Sequence, residues 1–240
     1  MTTSTLPRLY LFTPPLGDPA SLARELPATL EAGDIAAVLL RLEEGDERTL
    51  INRAKTIAGI VQQRDVALLL DGYPKMVARA GADGAHLTGI EALTAAIGSL
   101  KPDRIAGAGG LHSRHDAMLA AEAGADYVMF GEPLPYQGRE EARRPPFDAI
   151  EERIAWWAEL FEAPCVGYAA GLDEVVALAQ AGADFVALGD WLWTHPQGPV
   201  AAVRLATRSL ADTSSAPTQR SGVGEGDRAK RGGGGEPIEY

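Results

Sequence analysis

A four-residue phrase, Ala-Gly-Ala-Asp, recurs along this chain and restricts the folds that it can adopt. It occupies residues 80–83, 123–126 and 181–184, and a looser copy, Ala-Gly-Asp, occupies residues 32–34. Each copy follows a helical pattern and precedes a short apolar run. Glycine after a helical pattern typically ends the helix in a left-handed conformation, and a bounded apolar run is typical of a buried strand. The repetition of this helix-to-strand corner therefore indicates repeated α/β units.

The segments between these corners complete an alternation of strands and helices. Short apolar runs predict eight strands, at residues 9–12, 35–42, 66–70, 85–87, 105–108, 127–130, 165–168 and 185–188. A helical pattern follows each strand, and the last helix is expected over residues 199–210. Strands joined by this many right-handed crossovers close most naturally into a (β/α)8 TIM barrel. A doubly wound open sheet is the alternative, because periodicity alone does not distinguish the two.

The chain divides into one domain and a tail. Residues 1–211 are predicted to form the single α/β barrel, since barrels of this class routinely have such lengths. From residue 212 onward Ser, Thr, Gly and Pro dominate, and residues 232–235 are consecutive glycines. Residues 212–240 cannot bury a core and are expected to be disordered.

Composition and charge argue against several classes of function. The formal net charge of −11 at neutral pH argues against a nucleic-acid-binding surface. The sequence has neither an apolar run long enough to cross a membrane nor a signal-peptide pattern. Cys165 is the single cysteine and cannot form an internal disulfide, which favours a cytoplasmic location.

The loops after the predicted strands carry the candidates for phosphate binding. In TIM barrels the working residues lie at the carboxyl ends of the strands, and phosphate commonly binds after strands seven and eight. Ala170-Gly171 and Gly189 are small-residue loops at those two places, and backbone amides there could bind a phosphate. Alternatively, the small residues in these two loops only allow tight turns. Gly110 and His112 follow the fifth strand, where His112 could bind a ligand or cap a helix.

Charged side chains at the strand ends are candidates for catalysis and metal binding. Arg41 ends an apolar strand, and because a buried arginine is costly unless paired, we expect an anion or carboxylate beside it. Asp71 and Glu91 could hold a divalent cation through oxygen ligands, with loop capping as the alternative. Glu132 would be a general acid or base if its pocket is apolar. His86 lies in an apolar strand and is expected to be a core histidine or one with a locked tautomer.

Three stretches resemble thiamine-phosphate synthase and its relative, the thiazole tautomerase. They are residues 69–72 continuing through Gly-Ala-Asp-Gly-Ala-His-Leu at residues 81–87, residues 110–113 continuing through 123–131, and residues 181–187. The resemblance covers about residues 9–210. It implies a barrel that joins hydroxymethylpyrimidine diphosphate to thiazole phosphate and releases pyrophosphate with the help of Mg²⁺. It also implies small phosphorylated heterocycles as substrates and, by analogy, a homo-oligomer.

The resemblance implies roles for individual residues, with several departures. Arg41 matches an arginine of the family, whereas Leu39 and Glu43 stand where the family has Gln and Lys. The family has Asn-Asp after strand three, whose Asp binds magnesium, where this chain has Asp71-Gly72, and the family's second metal-binding Asp falls at Glu91. The remaining matches are Gly72 for an aspartate, Gly110 for a serine, Arg139 for a lysine in the loop after strand six, and Ala170 with a neighbouring residue for a Gly-Gly pair.

These departures leave three functions open. The first is a synthase-like transferase whose metal site is rearranged around Asp71 and Glu91, with Arg41, Glu132 and Arg139 as its candidate catalytic residues. The second is a related barrel in which Glu132, standing where the tautomerase has a histidine, transfers a proton on a phosphorylated heterocycle. The third is a barrel that binds such a ligand without catalysis.

Overall fold

A computed structural model of the protein describes residues 6–133 and 144–215. Its parallel strands form a closed barrel in sequence order, with the last strand paired to the first. This confirms the predicted (β/α)8 barrel and excludes the open sheet. The strands are β1 (Arg8–Phe12), β2 (Ile35–Leu40), β3 (Ala67–Asp71), β4 (Gly84–Thr88), β5 (Ile105–Gly109), β6 (Tyr127–Phe130), β7 (Cys165–Ala169) and β8 (Phe185–Leu188).

Helices cover the outside of the barrel. They are α1 (Pro19–Leu30), α2 (Glu47–Gln62), α3 (Val77–Ala80), α4 (Ile90–Leu100), α5 (Arg114–Glu122), α6 (Phe147–Leu160), α7 (Leu172–Gln180), α8 (Asp190–Trp193) and α9 (Pro199–Ser215). A 3-10 turn at Pro74–Met76 precedes α3. Within the described ranges, no helix combines the length and apolarity needed to span a bilayer.

Two features of the carboxyl-terminal part differ from the sequence prediction. The short helix α8 was not expected between the last strand and the last helix. Helix α9 continues to Ser215, past the predicted end at residue 210 and past the expected domain boundary. The Thr213 hydroxyl donates to the Ser209 carbonyl at 2.8 Å, so this side chain bonds back to the helix. The rest of the predicted tail, residues 216–240, lies outside the described residues.

Polar side chains set the starts of three helices, as their sequence positions indicate. The Asp18 carboxylate accepts from the Ala20 amide at the start of α1, and the Asp46 carboxylate accepts from the Thr49 amide of α2. Ser113 forms a reciprocal capping box with the third residue of α5. Such caps satisfy amides that lack partners within the helix.

The repeated corners have the conformation that their glycines require. Gly81, Gly124 and Gly182 have φ angles of 71°, 96° and 98°, in the left-handed region that favours glycine. The aspartate two residues after each glycine, here called a corner aspartate, binds one residue of the preceding strand twice. Its amide donates to that residue's carbonyl, and its carboxylate accepts that residue's amide at 2.7 to 2.8 Å. The pairs are Asp83 with Leu68, Asp126 with Ala106, and Asp184 with Cys165.

Side chains alternate between the inside of the barrel and the layer under the helices. A buried cluster of inward residues fills the interior and is separate from the larger core between strands and helices. Its members include Tyr10, Phe12, Leu39, Leu69, Tyr127 and Tyr168. Two positions beyond Leu39 and Leu69 come Arg41 and Asp71, so the same period of two brings charged side chains to the carboxyl-terminal mouth.

Candidate active site

Arg41 is fixed at the mouth of the barrel by β1 and by α8. Its Nε donates to the Thr13 carbonyl at 2.5 Å, and its backbone amide donates to the Thr13 hydroxyl at 3.0 Å. Its terminal nitrogen lies 3.1 Å from the carboxylate of Asp190, whose side chain is 75% exposed. The expected anionic partner is therefore present. Because that carboxylate is exposed, the ion pair is weak and a ligand anion could replace it.

Asp71 ends β3 inside the mouth and is partly buried. Burial raises the pKa of its carboxyl to about 6, and the positive charge of Arg41 opposes this effect. Within residues 6–133 and 144–215, no group donates a hydrogen bond to this carboxylate. A partly buried carboxylate without a protein donor is available to bind a cation or a proton.

Glu132 is buried, with the Gly110 amide and the His86 ring beside its carboxyl. The preceding Gly131 has a φ of 84° and packs against Ile150, so a side chain at that position would clash. Glu132 Oε1 accepts a hydrogen bond from the Gly110 amide. Burial, with a smaller contribution from the negative charge of Asp71, raises the pKa of Glu132 to about 7. The carboxyl is therefore able to gain or lose a proton near neutral pH.

His86 lies in β4 and is held by a chain of two tyrosines. Its Nδ1 is 2.9 Å from the Tyr127 hydroxyl, which is 2.9 Å from the Tyr10 hydroxyl. Burial lowers the pKa of His86 to about 4, so the ring is neutral at pH 7. A Cβ at Gly109 would lie 2.5 Å from His86 Nε2 and 2.3 Å from Glu132 Oε1. The imidazole and the carboxyl therefore meet over this glycine.

The loop after β7 is occupied by an ion pair that the sequence analysis did not identify. The Ala170 amide, a candidate phosphate ligand, donates to Glu174 at 2.7 Å. Arg144 binds both oxygens of Glu174, at 2.9 and 2.5 Å, and also donates to the carbonyls of Gly131 and Tyr168. Because Glu174 lies in the first turn of α7 and Arg144 in an Arg-rich insert, their charges were visible in the sequence but their pairing was not.

The remaining candidate residues are Gly189, His112 and Arg139. Gly189 packs under Tyr168, where an added Cβ would lie 2.2 Å from the hydroxyl. This close approach is sufficient to explain why residue 189 is glycine, so a phosphate site is not needed to account for it. His112 is exposed, and Ser113 caps α5 in its place. Arg139 lies outside the described residues.

The donor set at the mouth suits a partly hydrated magnesium ion. In the described part of the chain, no three His, Cys, Asp or Glu side chains come together to hold a metal by themselves. Mg²⁺ usually keeps several waters and binds one or two carboxylates together with substrate phosphates. Asp71 meets this requirement as a partly buried carboxylate that accepts no hydrogen bond from the described residues. Glu91 lies in the first turn of α4, where its side chain is exposed.

Comparison with known proteins places this barrel in one family. The sequence model described as Thiamine monophosphate synthase matches residues 9–191. The thiamine-phosphate synthase of Rhodospirillum centenum is 41% identical over 82% of this chain and 94% of the relative. That of Hyphomonas neptunium is 36% identical over 82% and 90%, respectively. The solved thiamine phosphate pyrophosphorylase of Pyrococcus furiosus covers 88% of this chain and 98% of its own, with a TM-score of 0.68 and 20% identity, and supports the fold. The chain therefore belongs to the thiamine monophosphate synthase family.

Proposed function

We propose that this protein is a thiamine-phosphate synthase, a transferase that joins hydroxymethylpyrimidine diphosphate to thiazole phosphate. The observation that carries the proposal is that Arg41 acts electrostatically on Asp71, a partly buried carboxylate that accepts no hydrogen bond from the described residues, at the mouth of a barrel of this family. A diphosphate needs positive charge and usually a metal carboxylate. The mouth offers Arg41 as the positive charge and Asp71 as the carboxylate, and the charge of Arg41 acts on Asp71.

The side chains at the mouth suit both bond changes of this reaction. The bond between the pyrimidine methylene carbon and the diphosphate oxygen breaks, and its electron pair leaves with pyrophosphate. Positive charge develops on the pyrimidine, and the thiazole nitrogen then uses its lone pair to form the new C–N bond. We assign the diphosphate to the Arg41 guanidinium, which would exchange the exposed Asp190 for the substrate anion. The ionised Glu132 would stabilise the developing cation in a low-dielectric pocket.

We assign magnesium to Asp71, with Glu91 as a second oxygen donor. Bound Mg²⁺ would neutralise charge on the leaving pyrophosphate. The substitutions at Leu39, Glu43 and Gly72 remove groups that the family uses, so the proposed metal site is a rearranged one. A phosphate site on the loop after β7 would require Glu174 to release the Ala170 amide.

The test is a direct assay of the purified protein. Wild type is incubated with both substrates and Mg²⁺, and thiamine phosphate and pyrophosphate are measured. Asp71→Asn and Arg41→Gln should reduce kcat/KM strongly, whereas the exposed Glu159→Gln should not. Wild-type protein that forms no thiamine phosphate under these conditions would contradict the proposal.

A second function, proton transfer on a phosphorylated heterocycle, is favoured by Glu132. Its burial and its pKa of about 7 suit a residue that alternates between acid and base. This activity would need neither the diphosphate nor Mg²⁺. Glu132→Gln should abolish proton exchange between a thiazole phosphate and deuterated water, and exchange that continues in this variant would eliminate the second function.

We also propose a cytoplasmic location and a homo-oligomeric state. The location is supported by the single cysteine, Cys165, which is free and buried in β7. The oligomer rests on analogy with family relatives. Light scattering of the purified full chain would test it, and a mass equal to the 25.3 kDa monomer would contradict it.

A further inference from the structure

A buried chain of three polar groups crosses the interior of the barrel and ends at the mouth. It runs from the Tyr10 hydroxyl through the Tyr127 hydroxyl to His86 Nδ1, with both heavy-atom distances at 2.9 Å. All three side chains are at least 94% buried. Gly107 makes room for the chain, since a Cβ there would lie 2.2 Å from the Tyr127 hydroxyl.

The number of protons in this chain determines the direction of its hydrogen bonds. Each phenol has one proton to donate, and a neutral imidazole has one N–H and one acceptor nitrogen. If Tyr10 donates to Tyr127 and Tyr127 donates to Nδ1, every hydroxyl proton is used. If Nδ1 carries the proton, one of the two buried hydroxyl protons has no acceptor among the described residues. The first arrangement leaves only the Nε2–H without a protein partner within the described ranges, and Nε2 is not sealed from solvent. Leaving a buried phenol proton unpaired is costlier, so the first arrangement is favoured.

The ionisation states of the three groups are consistent with this arrangement. Burial raises the pKa of both tyrosines, so the phenols keep their protons. Burial lowers the pKa of His86 to about 4, so the ring carries only one proton at neutral pH. With Nδ1 acting as an acceptor, that proton is on Nε2.

We propose that Tyr10 and Tyr127 hold His86 as the Nε2–H tautomer, so that His86 presents a hydrogen-bond donor beside Glu132 at the barrel mouth. Nε2 has no hydrogen-bond partner in the described part of the chain and is not sealed from solvent. The space it shares with Glu132 exists because residue 109 is glycine. Tyr10 and Tyr127 are positioning residues in this arrangement.

A donor next to a carboxyl forms a matched pair for one edge of a nitrogen heterocycle. The Nε2–H would donate to a ring nitrogen, while the Glu132 carboxyl would accept from an adjacent amino group. This pair would orient an aminopyrimidine ring where Leu39 offers no polar group. The tautomer follows from the fold alone, whereas its use by a pyrimidine substrate rests on the proposed function.

Nitrogen NMR of the ligand-free full chain tests the tautomer directly. In uniformly ¹⁵N-labelled protein at pH 7.5, His86 should show a pyrrole-type Nε2 and a pyridine-type Nδ1, with His86→Gln identifying its signals. The reverse assignment in wild type would overturn the proposal. Tyr127→Phe removes the donor to Nδ1, and we expect it to shift the Nδ1 signal and to mix the tautomers. Tyr10→Phe keeps that donor, so the Nε2–H form should persist, and its loss in this variant would also count against the proposal.

Steady-state kinetics then test the use of the donor. A Gln side chain can place an amide N–H close to the position of Nε2, whereas Leu cannot. We expect His86→Leu to raise KM for the pyrimidine diphosphate and His86→Gln to recover part of the loss, with KM for thiazole phosphate unchanged. Equal KM values in both variants would overturn the assigned use. If wild type has no synthase activity the proposed function fails, yet the NMR result still decides the tautomer.

Discussion

Replacing Glu132 with Gln should make the protein more stable at alkaline pH while removing its activity. The pKa of Glu132 rises from an ordinary 4.5 to about 7 in the folded protein because the carboxyl is buried. The unfolded chain therefore ionises this group at a lower pH than the folded chain does. Between these two values the folded state binds more protons, so the free energy of unfolding falls as pH rises.

The size of this effect follows from the two pKa values. Ionising Glu132 in its buried site removes about 3 kcal/mol from the free energy of unfolding, fully expressed above pH 7 and absent below pH 4.5. A Gln side chain has nearly the same shape and its carbonyl can still accept from the Gly110 amide. The variant should thus exceed wild type by about 3 kcal/mol at pH 8 and be close to it at pH 4.5.

Urea unfolding at several pH values between 4.5 and 8, followed by circular dichroism, measures this difference. Glu159→Gln is the matched control, since it makes the same change at an exposed position of α6. The control should track wild type at every pH. A stability difference between Glu132→Gln and wild type that does not change with pH would refute the reasoning.

Three further substitutions, the first with a control variant, test other parts of the site and core. Gly109→Ala would put a Cβ 2.3 Å from the Glu132 carboxylate oxygen and should lower kcat/KM by about 100-fold. The control is Gly59→Ala, in an open position of α2, which should raise the melting temperature. Glu174→Gln should lower the free energy of unfolding in urea by about 2 kcal/mol, because Arg144 keeps a partly buried charge; unchanged stability would show that the pair contributes nothing. Trp157→Phe should cost about 2 kcal/mol in the same assay by removing a 2.7 Å bond to a backbone carbonyl, with unaltered kcat/KM, and a loss of activity would contradict its purely structural role.

The fold could be predicted because its signals are local. Gly81, Gly124 and Gly182 each end a helix, and the apolar runs after them are short enough to be strands. Closure into a barrel could not be derived from periodicity, since an open sheet has the same alternation. It depends on β8 pairing with β1, a contact between the ends of the domain that no local pattern encodes.

One expectation at the site is confirmed because a single residue carried its signal: Arg41, at the end of an apolar strand, has a carboxylate beside it. Glu132 was expected to be a general acid or base if its pocket is apolar, and its catalytic role stays a prediction. The chain from Tyr10 to His86 was missed because tyrosines in apolar strands are typical of core packing. Recognising it requires the stagger between β1, β4 and β6, which brings residues far apart in sequence to the same level of the barrel.

The corner aspartates have a consequence for how the chain could be cut and rejoined. Each one binds the strand before its helix at two points, so β3 with β4, β5 with β6, and β7 with β8 form three self-registered units. Circular permutation could move the chain ends to a segment that joins two of these units, such as the one between β4 and β5. Both residues of every such hydrogen-bonded pair would then stay within one continuous piece of chain. New ends placed between β3 and β4 would instead turn a local closure into a long-range one, which slows folding.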